Sequence, residues 1–308
     1  MRIHLPKIEI TGRRRTAALV LFFAAAFLFA LHRTLPVEAV KERMILEAAA
    51  QGWQLRMNDL APSGLAGVRA REVTLQTRAG TRIPVEEVRA SLRLLPLLVG
   101  RRAVTFEASL FEGRLEGAVE RGKSTQHLRL RAEGIDLSRA GALRQATGLD
   151  LAGRLAADVD VTLDGADPQK STGKVEVAVR DAAVVGGEIP VPGMGGGLTV
   201  PRVALGTVSA RGTVRNGRAE FDRLEARGQD LELTAEQLYV QLQPRLEFSP
   251  LAGRARLRLQ DGYWQRSGTA SLKPVVDLAV GNARASDGSI GFQIYGTLGK
   301  PQIRAMAP

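Results

Sequence analysis

Beyond residue 100 the chain alternates between apolar and polar positions. In AVTFEASLFEG, Val104, Phe106, Ala108 and Leu110 take turns with Thr105, Glu107 and Ser109. QHLRLRAEG, GRLAADVDVTLDG and GRARLRLQDG repeat the pattern, with Leu128, Leu130 and Ala132, then Leu155, Ala157, Val159, Val161 and Leu163, then Ala255, Leu257 and Leu259 on the apolar side. A period of two predicts strands with one apolar and one solvated face. Gly-containing turns recur between them, in EGRLEG, LAGRLA, VRNGRAEF, LAGRARL and RLQDGYW. Leu231 and Leu233 differ in parity from Leu238, Val240 and Leu242, which predicts a turn or bulge near Ala235 to Gln237.

Before the strands the period is helical. LPVEAVKERMILEAAAQGW predicts one short amphipathic helix, with Val37, Val40, Met44 and Ala48 on one side, Lys41 intruding and Gly52 as the stop. It is expected to pack on the sheet that follows. A second short helix is expected from Leu137 to Gly148. GGEIPVPGMGGGLTVP, residues 186–201, is too rich in Pro and Gly for a central strand and is expected to be a long loop between two halves of one β-rich domain.

The first 33 residues set the topology. Thr16 to His32 is a run of 17 positions without a charge, about 25 Å as a helix and at the short end of what crosses a bilayer. Arg15 and Arg33 can snorkel to the interfaces. Arg2, Lys7, Arg13, Arg14 and Arg15 put the basic excess on the N-terminal side, which predicts a cytoplasmic N-terminus. A cleaved signal needs small residues just after the apolar core. The candidate around Ala24 to Ala26 lies inside the run, and Val37-Glu38-Ala39 sits late and after Pro36. An uncleaved anchor is the reading these residues favour over a cleaved signal and over a buried soluble helix. The expected organisation is a cytoplasmic basic tail (1–15), a single transmembrane helix (16–32) and a periplasmic, β-rich domain (33–308). The fold class is mainly β, a curled antiparallel sheet or groove.

Charge and composition then narrow the function. The net +11 suggests nucleic acid, but six basic residues against Glu9 give residues 1–33 a net +5, leaving +6 for the rest. That remainder suits anionic headgroups or acidic partners; a general preference for Arg in the composition explains it as well. The strand arginines Arg129, Arg131, Arg254, Arg256 and Arg258 lack the interleaved aromatic residues that stack bases, so they read as solvated faces and no nucleic-acid partner is expected. Cysteine is absent, which excludes disulfides, thiolate metal sites and a cysteine nucleophile. His127 stands on a polar strand face. Asp158, Asp160 and Asp164 before Gly165 depart from a calcium loop at Thr162. Gly193 to Gly197 lacks the Lys-Ser/Thr of a phosphate loop, and Ser109 and Ser209 have no nucleophile-elbow context. No catalytic, cofactor-binding or metal-binding residue is assigned, and no enzyme is expected.

Three stretches carry a family likeness: VRASLRLLPLLVGRRAVTFEASLFEGRLEGAV (Val88–Val119), GRAEFDRLEARGQDLELTAEQLYVQL (Gly217–Leu242) and DGSIGFQIYGTLGKPQI (Asp287–Ile303). With the basic tail, the membrane run and the helix beginning Leu-Pro, the chain resembles the long variant of the type II secretion system protein N family. The likeness rests on a leucine-rich element before a Gly-closed hairpin, on Gly228, Asp230, Leu231 and Glu232, and on Gly296, Thr297, Leu298 and Pro301. It departs at Gln237, where Gly would fit the pattern. The resemblance implies an inner-membrane, periplasm-facing accessory of the secretion machine that contacts other subunits and has no catalytic residues or cofactor. The layout is also similar to AsmA-type proteins, whose curled sheets hold lipid acyl chains, which makes phospholipid the alternative partner.

Overall fold

The structure, a computed structural model, describes residues 37–306 except 51, 65, 78–79, 98–99, 191–196, 244–247 and 281–282. The expected tail (1–15) and membrane run (16–32) lie outside these residues. Among the described residues no helix is long and apolar enough to cross a bilayer.

Helix α1 (Val37–Ala50) leads through Gly52 into β1 (Trp53–Arg56) and β2 (Asp59–Ser63). The Gly52 amide closes the last helical turn on the Ala49 carbonyl, and its φ of +84° suits glycine. As expected, α1 packs on the sheet, resting on β1 and β2 with Met44 against the core around Met57, Ala70 and Val85. A long series of strands follows: β3 (Gly67–Thr77), β4 (Arg82–Arg93), then the one-turn helix α2 (Leu94–Leu97), β5 (Arg102–Leu110), β6 (Gly113–Arg121) and β7 (Thr125–Asp136). A 3-10 turn and α3 (Gly141–Thr147) lead to β8 (Leu149–Asp164), β9 (Thr172–Pro190), β10 (Gly197–Thr199), β11 (Val203–Arg215), β12 (Arg218–Arg227), β13 (Leu231–Gln241) and β14 (Leu251–Leu259). Three short helices, α4 (Asp261–Trp264), α5 (Ser267–Ala270) and α6 (Lys273–Val280), precede β15 (Ile290–Thr297) and β16 (Lys300–Met306).

All pairings are antiparallel and form one open sheet, running from β1 and β2, both on β3, through the strands in chain order to β16, with β10 off the path on β9. Its register turns the alternation into continuous apolar rows. Ala70, Val88, Ala108, Leu115, Ala132, Ala157 and Val177 are successive cross-strand partners from β3 to β9. The row continues through Ala210, Leu224, Ala235, Ala255 and Phe292 to Ala305 on β16. Each such pair contributes about 0.2–1 kcal/mol. Phe106 lies across Gly117 and Phe221 across Gly212 in a neighbouring row, so a side chain at Gly117 would collide with the Phe106 ring.

The predicted phase change is a bulge. Pairing of β13 with β14 slips between Glu236 and Tyr239, and Gln237 takes φ +53°, the left-handed region where Gly is unstrained. The two-residue turn between β5 and β6 is under similar strain, because Phe111 and Glu112 have φ +50° and +61° where an Asn-Gly turn is usual. It is held from outside by the Asp136 amide on the Phe111 carbonyl and by Arg139 on Glu112 at 2.5 Å. Glu112→Gly is therefore expected to stabilise by about 0.5–1 kcal/mol, seen as a higher urea midpoint; a lower one would give the Arg139 pair the greater weight.

Three sequence expectations need correction. Within the stretch expected to be a long loop between two halves, residues 186–190 and 197–199 are strand. β9 extends to Pro190, Gly186 and Gly187 pair with Asp150 and Leu149, and β10 folds back on Glu188–Pro190. The glycines sit where the β8 register shifts, and Gly187 takes φ +133°, so they bend the ladder and do not end it. The sheet passes from β9 to β11 without a break. DGYW is the helix α4, not a turn between strands. The helix expected from Leu137 to Gly148 divides at Ala140 into a 3-10 turn and α3, which ends on left-handed Gly148 and reaches back to β4.

Candidate functional site: the two faces of one sheet

The polar face is a lattice of charges. Arg89, Glu107, Glu116, Arg131, Asp158, Glu176 and Arg211 are successive cross-strand partners from β4 to β11. Arg114 bridges Glu107 and Glu116, the latter at 3.1 Å, and Arg211 meets Glu176 at 3.0 Å. A cleft of about 890 Å³ runs over this face, flanked by Arg89, Glu107, Arg129, Arg131, Asp158 and Asp160. Acids and bases are interspersed closely enough to neutralise one another, so the cleft lacks the one-signed field that concentrates a charged ligand.

The residues considered for chemistry are dispersed. His127 Nε2 lies 2.7 Å from Asp160 Oδ1, and Arg129 Nε 3.3 Å from Asp160 Oδ2. The His127 hydrogen bond, with the Arg129 guanidinium alongside, holds the Asp160 carboxyl below its ordinary range. Asp158 shares this face, but Asp164 turns away and accepts from the Ala166 and Asp167 amides. Among the described residues no group of His, Asp and Glu converges as a metal site. Ser109 and Ser209 stand on β5 and β11 opposite Arg114 and Glu225. Of the Gly193–Gly197 stretch only Gly197, the start of β10, lies within the described residues.

One buried charge gained its role only in three dimensions. Asp230, in the turn between β12 and β13, is 1% exposed. It accepts from the Ala204 amide at 2.7 Å and from Arg266 Nη1 at 3.0 Å, with a second bond to Arg266 Nη2. Burial alone would raise its pKa; the Arg266 and Ala204 hydrogen bonds outweigh this and hold it below the usual carboxylate range. The pair pins α4 and α5 to the sheet, beside Tyr263, which packs on Val203, Ala226 and Leu231. The sequence supplied Asp230 only as part of a family-like stretch. Its partner stands 36 residues away.

The apolar face is covered unevenly. Ala70, Ala108, Ala235 and Ala255 are buried among longer apolar neighbours, and Ala132 is buried as well. Where β4 ends and β5 begins, the facing pair Leu92 and Val104 remain 37% exposed, and Leu95 of α2 is 80% exposed. Water displaced from such apolar surface favours any contact made there. No family model, no curated protein and no solved structure matches the chain.

Proposed function

We propose that this protein is an accessory of the type II secretion machine, anchored in the inner membrane by residues 16–32, with its β-rich domain in the periplasm, acting through contacts and not by catalysis. The family resemblance supports the assignment. The observation that carries the mode of action is the open sheet, whose apolar rows run from strand to strand and leave Leu92 and Val104 uncovered, beside the exposed Leu95 of α2. Apolar surface of this kind is stabilised by a partner that covers it.

A second reading is favoured by the continuity of those rows. If the sheet curls about its apolar face, the rows make a trough for acyl chains, and the protein binds or bridges phospholipid in the envelope. One preparation separates the readings. Full-length protein, extracted in mild detergent after crosslinking in cells, is analysed for bound proteins and for lipid. Secretion subunits without stoichiometric phospholipid support the first reading. Phospholipid at one or more per chain without those subunits replaces it with the second.

A further inference from the structure

The connection from β4 to β5 joins an exposed apolar tip to a cluster of bases. Leu95 is 80% exposed, and Arg93, Arg101, Arg102, Arg121 and Lys123 are exposed around the same strand ends. Arg101 meets Glu120 at 3.2 Å, while Arg93, Arg102, Arg121 and Lys123 have no ion pair among the described residues. Arg102 and Arg121 are direct cross-strand partners, a like-charge pairing that costs stability unless an anion lies between them.

This tip also lies at the end of the sheet toward which the start of α1 points. A two-residue link joins α1 to β1, and α1 rests on both β1 and β2, so it runs back along them and its first residue, Val37, faces the end where β2 and β4 finish. Strands β2 and β4 flank β3, so roughly 10 Å separates them. Only residues 33–36 stand between the uncharged run and Val37, and four residues span at most about 14 Å. A bilayer holding that run therefore lies within reach of Leu95.

We propose that the Leu95 turn docks on the anionic surface of the bilayer that holds residues 16–32, an inference that rests on the anchored reading above. Leu95 enters the boundary between headgroups and acyl chains, as exposed apolar side chains beside basic residues do. Arg93, Arg102 and Arg121 meet lipid phosphates. A single leucine binds weakly, but the tether makes the contact intramolecular, so a weak affinity suffices. The orientation of the sheet on the membrane follows from these two attachments.

The absence of cysteine allows a direct test. Full-length Leu95→Cys, and separately Ile303→Cys at a 69% exposed position on the far edge strand, are labelled with an environment-sensitive dye. Each is reconstituted in vesicles of phosphatidylethanolamine with phosphatidylglycerol. The label at 95 is expected to be quenched by shallow lipid-borne spin labels and shielded severalfold from aqueous iodide, and the label at 303 to behave oppositely. Adding Arg93→Gln, Arg102→Gln and Arg121→Gln should remove most of that shielding. Equal iodide quenching at 95 and 303, in protein that resists alkaline carbonate extraction, overturns docking while leaving the anchor intact. Protein released by carbonate overturns both. Shielding unaffected by the three Gln substitutions overturns the role given to the phosphates.

Discussion

Val161→Asp is expected to lower stability by about 4 kcal/mol, the scale for burying an unpaired charge. Val161 is 8% exposed and belongs to a cluster with Val214, Ala219 and Val240. It pairs across the ladder with Gly173, which pairs in turn with Val214, so the missing side chain lets the two valines share one packed region. Thermal unfolding followed by circular dichroism should show a drop of about 10 °C. Asp160→Ala, one residue away on the polar face, removes only an exposed hydrogen bond with His127 and an ion pair with Arg129 and should change stability by about 0.5 kcal/mol. A Val161→Asp protein that melts with the parent would show that the apolar row is not a core.

Asp230→Ala is expected to cost about 3 kcal/mol, because it leaves the Ala204 amide and Arg266 without their shared acceptor. The loss should fall on the α4–α5 corner first, as faster amide exchange around Tyr263. Asp230→Asn keeps an acceptor and should cost less. The two also differ in pH response. The Asp230 pKa is lowered in the folded protein, so its contribution is fully present above the ordinary aspartate value near 4 and is lost as pH falls through the depressed one. The parent protein should therefore lose more stability than Asp230→Asn between about pH 4 and its acid transition. Parallel curves would show that Asp230 is not held as the anion.

The strands were legible because local physics writes them twice, in alternation and in turns. The Gln237 bulge was legible for the same reason, since a change of parity between Leu233 and Leu238 leaves the backbone no other way to keep one face dry. What alternation does not encode is register. That Ala132 meets Ala157, and Ala235 meets Ala255, depends on turn geometry and on bulges such as that between Ala132 and Ile135. Residues 186–190 are unlike a central strand in composition, whereas in the fold glycines at a register shift keep the ladder going. The α4–α6 segment leaves no helical signal in the sequence, because its first two helices are four residues each, too short for a helical period, and are held by a carboxylate outside them. The candidate docking tip was half legible: Leu-Leu-Pro-Leu between arginines is plain in the sequence, its exposure and its placement toward Val37 are not.

Except at its first edge and beside β10, each strand joins the one that precedes it in the chain. Long-range loop closures, which slow most large sheets, are thus nearly absent. A polypeptide released N-terminus first can add one hairpin at a time to a growing template, without waiting for its last residues. The cost falls on timing: until the next strand arrives, the newest one is a temporary open edge, and pausing during synthesis is when such a ribbon is most exposed to wrong partners.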